Sequence, residues 1–153
     1  MAGILGTDVL TQVGFVVRDV KKTSAKFAAM MGVAPPELAG SGDYAVTGTL
    51  VEGRPAPDAG CQMAFFNVGP NVVIEFIQPN DAKSTWRDFL DQKGEGIHHI
   101  AFNVKGSDKI VAALEGQGVP CVQRGKYGDG SGQYAYMDAT ADLKCILELL
   151  ESF

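Results

Sequence analysis

Gln12-Val13-Gly14-Phe15-Val16-Val17 and His99-Ile100-Ala101-Phe102-Asn103-Val104 are the two stretches that decide the fold. They align residue for residue at an offset of 99 − 12 = 87. In each, one polar residue leads a run of β-branched and aromatic residues, the composition of a half-buried strand. A helical pattern follows each run. Over residues 20–31, Val20, Ala25, Phe27, Ala28, Met30 and Met31 fall roughly on one face while Lys21, Lys22 and Lys26 turn outward, and Gly32 closes the helix. The second helix covers residues 107–115 and is closed by Gly116 and Gly118.

The repeat extends to the far end of each half. Val73-Ile74-Glu75-Phe76-Ile77 matches Ile146-Leu147-Glu148-Leu149-Leu150 at an offset of 148 − 75 = 73, so the first half is longer by 87 − 73 = 14 residues. That extra length is assigned to the Gly- and Pro-containing stretch 35–60, within which a strand is predicted over 44–52. Residues 61–68 and 71–77 flank Gly69-Pro70 as a hairpin. The second half has strands at 119–123, 133–137 and 145–150, separated by the Gly-rich run 125–132 and by 138–143. Between the halves, Thr85 and Asp88 form a weak capping box for a helix carrying Trp86, Phe89 and Leu90 and ended by Gly94. The expected architecture is α+β: two tandem βαβββ modules forming a cupped, largely antiparallel sheet in a single domain, 1–153. Module one is placed at about 9–79, a connector helix at about 80–95 and module two at about 96–153.

At 153 residues and 46% hydrophobic content the chain can build one core. A net charge of −5 argues against a non-specific nucleic-acid binder, which needs a cationic surface. No run of eighteen apolar residues occurs and residues 1–8 carry no cationic leader pattern, so no membrane partner is expected and the cytoplasm is the expected location. The three cysteines, Cys61, Cys121 and Cys145, form no CxxC pair and read as core thiols.

Glu75 and Glu148 are the anomaly. A mid-strand glutamate between large apolar neighbours is costly to bury unless its charge is paired or binds a cation. Here two occur at matching places, and Gln12 and His99 match on the first strands. Side chains alternate across a strand, so each glutamate points away from its apolar neighbours, onto the concave face of the sheet. An imidazole, two carboxylates and an amide oxygen suit one divalent ion, Zn, Co, Ni, Mn or Mg. Gln12, Glu75, His99 and Glu148 are the expected metal ligands. By the same alternation His98 points away from His99.

Glu75-Phe76-Ile77-Gln78-Pro79, Phe89-Leu90 before Gly94, Gly96-Ile97-His98-His99-Ile100-Ala101-Phe102 and Ile146-Leu147-Glu148-Leu149 resemble the vicinal-oxygen-chelate superfamily, which includes glyoxalases, bleomycin resistance proteins and dioxygenases. The chain looks most like its methylmalonyl-CoA epimerase-like and lactoylglutathione lyase-related members. The resemblance covers nearly the whole chain and implies metal ligands at the same four positions. Gln12 departs from the histidine usual in the epimerases but matches the glutamine of one glyoxalase type. Val16 stands where glyoxalases carry a glutathione-binding arginine. Gln62 or Met63 stands where the epimerases carry a second acid.

The expected chemistry is that of a metal-dependent isomerase, epimerase or glyoxalase-like lyase. A proton is removed next to a carbonyl and the ion steadies the enolate. Glu148 is the expected base and Glu75 its partner. The substrate is a small molecule with adjacent oxygens or an α-carbonyl, the Gly-rich run 126–132 is a candidate lid, and Tyr134, Tyr136 and Asn103 are candidate cavity residues. A homodimer is expected, with the site within one chain or shared between two. Two other readings remain: a metal-free small-molecule binder of the bleomycin-resistance kind, and a metal-dependent dioxygenase.

Overall fold

The computed structural model describes residues 3–153. The expectation about a leader segment rests partly on Met1 and Ala2, which lie outside the described residues. The first half contains β1 (Leu10–Val16), α1 (Val20–Met31), β2 (Ala39–Gly40), α2 (Tyr44–Thr47), β3 (Leu50–Val51), β4 (Arg54–Pro55), β5 (Cys61–Val68) and β6 (Val72–Pro79). After α3 (Thr85–Lys93) come β7 (Gly96–Asn103), α4 (Ser107–Glu115), β8 (Cys121–Lys126), β9 (Gly132–Met137), α5 (Thr140–Leu143) and β10 (Ile146–Ser152). The ends are set by local chemistry. Asp19 Oδ1 accepts from Lys22 N at 2.8 Å to start α1, and Gly32 closes it in the left-handed conformation. Helix α3 starts one residue earlier than its capping-box reading, since Ser84 Oγ, not Thr85, accepts from Arg87 N at 3.0 Å.

The ten strands of the described residues form one sheet in the order β2-β5-β6-β1-β7-β10-β9-β8-β3-β4. In the first half, β1 runs parallel to β6 and β6 antiparallel to β5; in the second, β7 runs parallel to β10 and β10 antiparallel to β9. The two halves meet at the antiparallel pair β1–β7. The registers Gln12↔Val73 and Gly14↔Glu75 of one half recur as His99↔Ile146 and Ala101↔Glu148 in the other. The two offsets in the sequence are therefore strand pairings in space.

The extra length of the first half has a different form from the strand predicted over 44–52. Asp43 Oδ1 accepts from Ala45 N at 2.9 Å and winds Tyr44–Thr47 into one helical turn, which Gly48 ends at φ 55°. Only Leu50–Val51 is extended, and it pairs with β8 of the second half. Residues 41–49 thus join β2 at one edge of the sheet to β3 near the other. Flat, those strands would stand roughly 38 Å apart at about 4.8 Å per strand. The connecting residues, one helical turn included, reach roughly 26 Å. The sheet must curl, and the segment straps its mouth.

Each half packs its convex face under its own helix. Val17, Val20, Ala28, Phe66 and Phe76 form one cluster, with Phe27 of α1 edge-on to both Phe66 and Phe76. Ile110, Val111, Leu114, Met137 and Leu149 form its counterpart. A third cluster gathers Val16, Ile77, Tyr136 and Ile146 around Trp86 and Leu90 of α3. Of the thiols, Cys61 is buried while Cys121 and Cys145 are half-buried, and all three are free.

Two contacts are specific enough to test. Gly106 gives α4 no capping side chain, and Glu151 of β10 supplies the cap instead, accepting from Gly106 N, from Ser107 N at 3.1 Å and from Ser107 Oγ at 2.7 Å. These bonds, the Ser107 hydroxyl foremost, hold the Glu151 carboxyl down at about 2. A depressed carboxyl stabilises the fold above its unfolded value of about 4.3, and that contribution is lost as pH falls toward 2. Glu151→Gln therefore lowers the Tm at pH 7, and its gap to the parent protein narrows steadily in melts between pH 4.5 and pH 2. The second contact is at Gly14, where a Cβ would lie 2.0 to 2.5 Å from three atoms of the His99 ring. Gly14→Ala is expected to cost about 1–3 kcal/mol by overpacking, read as a lower urea midpoint at unchanged slope.

Candidate active site

The four central strands β6, β1, β7 and β10 carry one polar residue each onto the concave face, and the structure brings all four together within one chain. Gln12 Nε2 donates to Glu75 Oε2 at 2.7 Å and lies 3.2 Å from His99 Nε2. His99 Nε2 lies 3.3 Å from Glu75 Oε2 and 3.1 Å from Glu148 Oε2. His99 is fully buried, and Glu148 and Glu75 are 4% and 5% exposed. Register explains the convergence. Gly14 stands opposite Glu75 on one side and His99 on the other, and lets the imidazole lie over the backbone of β1. Ala101 stands opposite both Gln12 and Glu148.

His98 departs from simple alternation. Gly14 pairs with His99 and Phe15 with Ile97, so His98 is the extra residue of a β-bulge. The bulge draws the two rings together, with Nδ1 to Nδ1 at 3.0 Å, both fully buried. Phe89 and Tyr136 pack edge-on against His98. Only one Nδ1 can donate in that contact. Burial, reinforced by the neighbouring charge of His99, holds His98 well below its usual range. His98 is therefore neutral, and one ring donates to the other across the Nδ1 contact.

Burial alone would depress His99, but Glu148 and Glu75 outweigh it and hold the imidazole up at about 10. Burial pushes the Glu148 carboxyl up, partly offset by His99. Glu148 Oε2 is buried without a hydrogen bond, its approach to His99 Nε2 lacking the directionality of one. The His99 charge faces that oxygen without a hydrogen bond, and a directly bound cation would satisfy it once the imidazole gives up its Nε2 proton.

The donor types and this orphaned oxygen fit a divalent cation. With the amide of Gln12 turned over, its oxygen would replace its NH2 in the same place, giving one nitrogen and three oxygen donors. The spacing is tighter than a ready-made site. Among the described residues no cluster of three or more His, Cys, Asp or Glu is set out around a metal position, because the side chains close on one another through the contacts above.

Gln12, Glu75 and Glu148 form the floor of a cavity of about 520 Å³, and His99 lies beneath them, off the cavity surface. Met63, Phe65, Trp86, Tyr134, Tyr136 and Leu150 form its walls. Trp86 Nε1 donates to Tyr136 Oη at 3.0 Å, and Gln123 Nε2 donates to Tyr134 Oη at 3.1 Å. Burial raises both phenols, Tyr134 to about 12. They remain neutral hydrogen-bonding groups. Tyr134 and Tyr136 thus take their predicted places in the cavity, whereas Asn103 is exposed and does not line it. Met63 lines the wall where epimerases were expected to carry an acid. The Gly-rich loop and the strap roof the mouth, with Gly42 packed so closely on Gly128 that a Cβ on Gly42 would lie 2.4 Å from the Gly128 Cα.

Gly14, the strap and Trp86 are site features missed in the sequence reading. Only Gly14 left a signal there: at the offset of 87 it aligns with Ala101, both small residues in otherwise bulky strands.

The chain matches the family model described as Glyoxalase/Bleomycin resistance protein/Dioxygenase superfamily over residues 11–136. Over 90 residues it is 33% identical to the uncharacterized protein YqjC of Bacillus subtilis strain 168, a match covering 58% of this chain and 64% of that protein. Similar solved structures include a methylmalonyl-CoA epimerase from Mycobacterium tuberculosis, at 19% identity and TM-score 0.67, covering all of this chain and 92% of that one. A hypothetical protein from Bacillus halodurans C-125 aligns at 22% identity and TM-score 0.66, covering 94% of each chain. A Streptomyces coelicolor methylmalonyl-CoA epimerase in complex with 2-nitronate-propionyl-CoA aligns at 18% identity and TM-score 0.66, covering 95% of this chain and 97% of that one. With the family model spanning most of the chain and the curled sheet matching these folds end to end, this protein belongs to the glyoxalase/bleomycin resistance/dioxygenase superfamily.

Proposed function

We propose that this protein is a divalent-metal-dependent isomerase or epimerase, or a glyoxalase-like lyase, acting on a small molecule with an α-carbonyl or adjacent oxygens. The observation that carries the proposal is the convergence of Glu75, His99 and Glu148, all buried, with Gln12 on the floor of one apolar cavity. Gln12, Glu75, His99 and Glu148 are the residues that would hold the ion, which when bound supplies Lewis-acid stabilisation of the negative charge that develops on the substrate oxygen.

The chain's own residues do the rest. Glu148 reaches the cavity with an oxygen that has no hydrogen bond, and it takes the proton from the carbon next to the carbonyl. The C–H electron pair passes into the carbonyl system as an enolate. Glu75 lies on the other flank of His99 Nε2. A proton drawn from solvent and relayed through Glu75 to the opposite face of the same carbon inverts it, the proton on Glu148 leaving to solvent. Return of the abstracted proton from Glu148 to the neighbouring carbon, with the substrate's hydroxyl proton passing to the enolate oxygen, isomerises an α-hydroxy carbonyl compound. His98 holds the His99 ring through the Nδ1 contact and directs Nε2 to the floor. The aromatic walls keep water from the carbanion.

One observation favours a second reading, a metal-free binder: the Gln12 amide already satisfies the Glu75 carboxylate at 2.7 Å. In keeping with the family, a homodimer is the proposed assembly and the cytoplasm the proposed location. Among the described residues no helix is long and apolar enough to cross a membrane.

Deuterium wash-in from heavy water, followed by NMR on a panel of α-hydroxy ketones and acyl thioesters, separates the two readings. The catalytic reading predicts enzyme-dependent exchange at the α-carbon, falling by a factor of about 10² to 10⁴ in a folded Glu148→Gln variant. Binding without exchange in the parent protein, or full exchange in the variant, contradicts it.

A further inference from the structure

The charges around the cavity are unevenly placed. Glu75 and Glu148 lie on the floor, whereas Lys126, the last residue of β8, and Asp129 of the Gly-rich loop lie at the mouth, and among the described residues no other Lys, Arg, Asp or Glu lines the cavity. Between floor and mouth the walls are aromatic and aliphatic. With the two floor carboxylates offset by the ion they would hold, and that ion taken up by the carbonyl, a remote substrate anion finds no cation on the walls. The mouth is where it can be received.

Lys126 is free to receive it. The ion pairs among the described residues use Lys83, Arg87, Arg124 and His99, and Lys126 Nζ has neither an ion pair nor a hydrogen bond. Asp129 does not compete for it, because its Oδ1 accepts from Ser131 N at 2.9 Å and Ser131 Oγ at 2.7 Å, which turns the carboxylate back onto its own loop. Its charge still lies on the cavity lining with Lys126 and disfavours a second substrate anion. The Lys126 backbone is fixed in register opposite Gln133, and the loop beyond it is pinned by the contact of Gly128 with Gly42 of the strap. The ammonium is thereby attached to a roof that closes the cavity from above.

We infer that the substrate is a largely apolar carbonyl compound bearing a single anionic group remote from the reacting carbon, and that Lys126 at the mouth is the residue that selects for that anion. The inference rests on the proposed α-proton chemistry for the orientation of the substrate, carbonyl down and anion up. A volume of about 520 Å³ with aromatic walls suits a body the size of a substituted aromatic ring.

The test uses three compounds that share one reacting group: 2-hydroxyacetophenone, which is neutral, 4-(hydroxyacetyl)benzoate with one remote carboxylate, and 5-(hydroxyacetyl)isophthalate with two. Trp86 is the only tryptophan and forms part of the wall, so quenching of its fluorescence reports binding whether or not chemistry follows. The metal-loaded protein is expected to bind the monoanion about tenfold more tightly than the neutral compound, as a charge-assisted contact provides, and the dianion more weakly than the monoanion. In Lys126→Gln the monoanion falls to the affinity of the neutral compound, whose own binding is unchanged, and where exchange is measured the loss is in KM and not in kcat. Equal binding of neutral compound and monoanion by the parent protein, or a monoanion preference that survives in Lys126→Gln, overturns the inference. Failure of the enolisation reading shows differently: the quenching pattern persists, but none of the three compounds exchanges deuterium.

Discussion

Two carboxylates and an imidazole buried together are the constraint around which this fold is arranged. Left unpaired, each charge would cost several kcal/mol to bury, so the four strands that carry the cluster must hold Glu75, His99 and Glu148 in contact. They do so through register. Gly14 stands between Glu75 and His99, Ala101 faces both Gln12 and Glu148, and the bulge at His98 turns the His99 ring. Gly14 has no room for a methyl group because that space belongs to the imidazole.

The second determinant is the strap. An up-and-down pairing of the two halves would leave an open trough, and the extra residues of the first half close it by pairing β3 with β8 across the mouth. The cavity consequently draws floor residues from both halves, a wall from the connector helix at Trp86 and a roof from the strap and the Gly-rich loop. Polar atoms deep in that structure are paired, as at Gln123, whose Oε1 accepts from Thr85 N and Oγ1 while its Nε2 donates to Tyr134. Glu148 Oε2 stands out because it faces the His99 ring at 3.1 Å and yet accepts no hydrogen bond.

What could be read in the sequence was whatever repeats locally. The period-two strands, the two helices with their glycine stops, and the pairing of Gln12 with His99 and Glu75 with Glu148 all follow from self-alignment, because an internal duplication places equivalent residues at equivalent registers. The strap was not legible. Val46, Thr47, Leu50 and Val51 have strand-forming composition, but Asp43 caps a helical turn and Gly48 ends it, so only two residues remain extended. Their partner lies in the other half, and no local pattern announces a pairing across some seventy positions. The His98 bulge was equally hidden, since alternation assigns neighbouring histidines to opposite faces unless register slips. Lys126 ends β8 where it enters a loop whose place over the cavity is set by the Gly42–Gly128 contact, again a long-range fact.

Family membership fixes the fold and leaves the chemistry to the residues on the floor. The central claim is that Gln12, Glu75, His99 and Glu148 together hold one divalent ion. Elemental analysis of the protein after metal loading and extensive dialysis, run beside a folded His99→Ala variant, tests it most directly. The account predicts one divalent ion per chain in the parent protein and little or none in the variant; no retained ion in the parent, or equal retention in both, would contradict it.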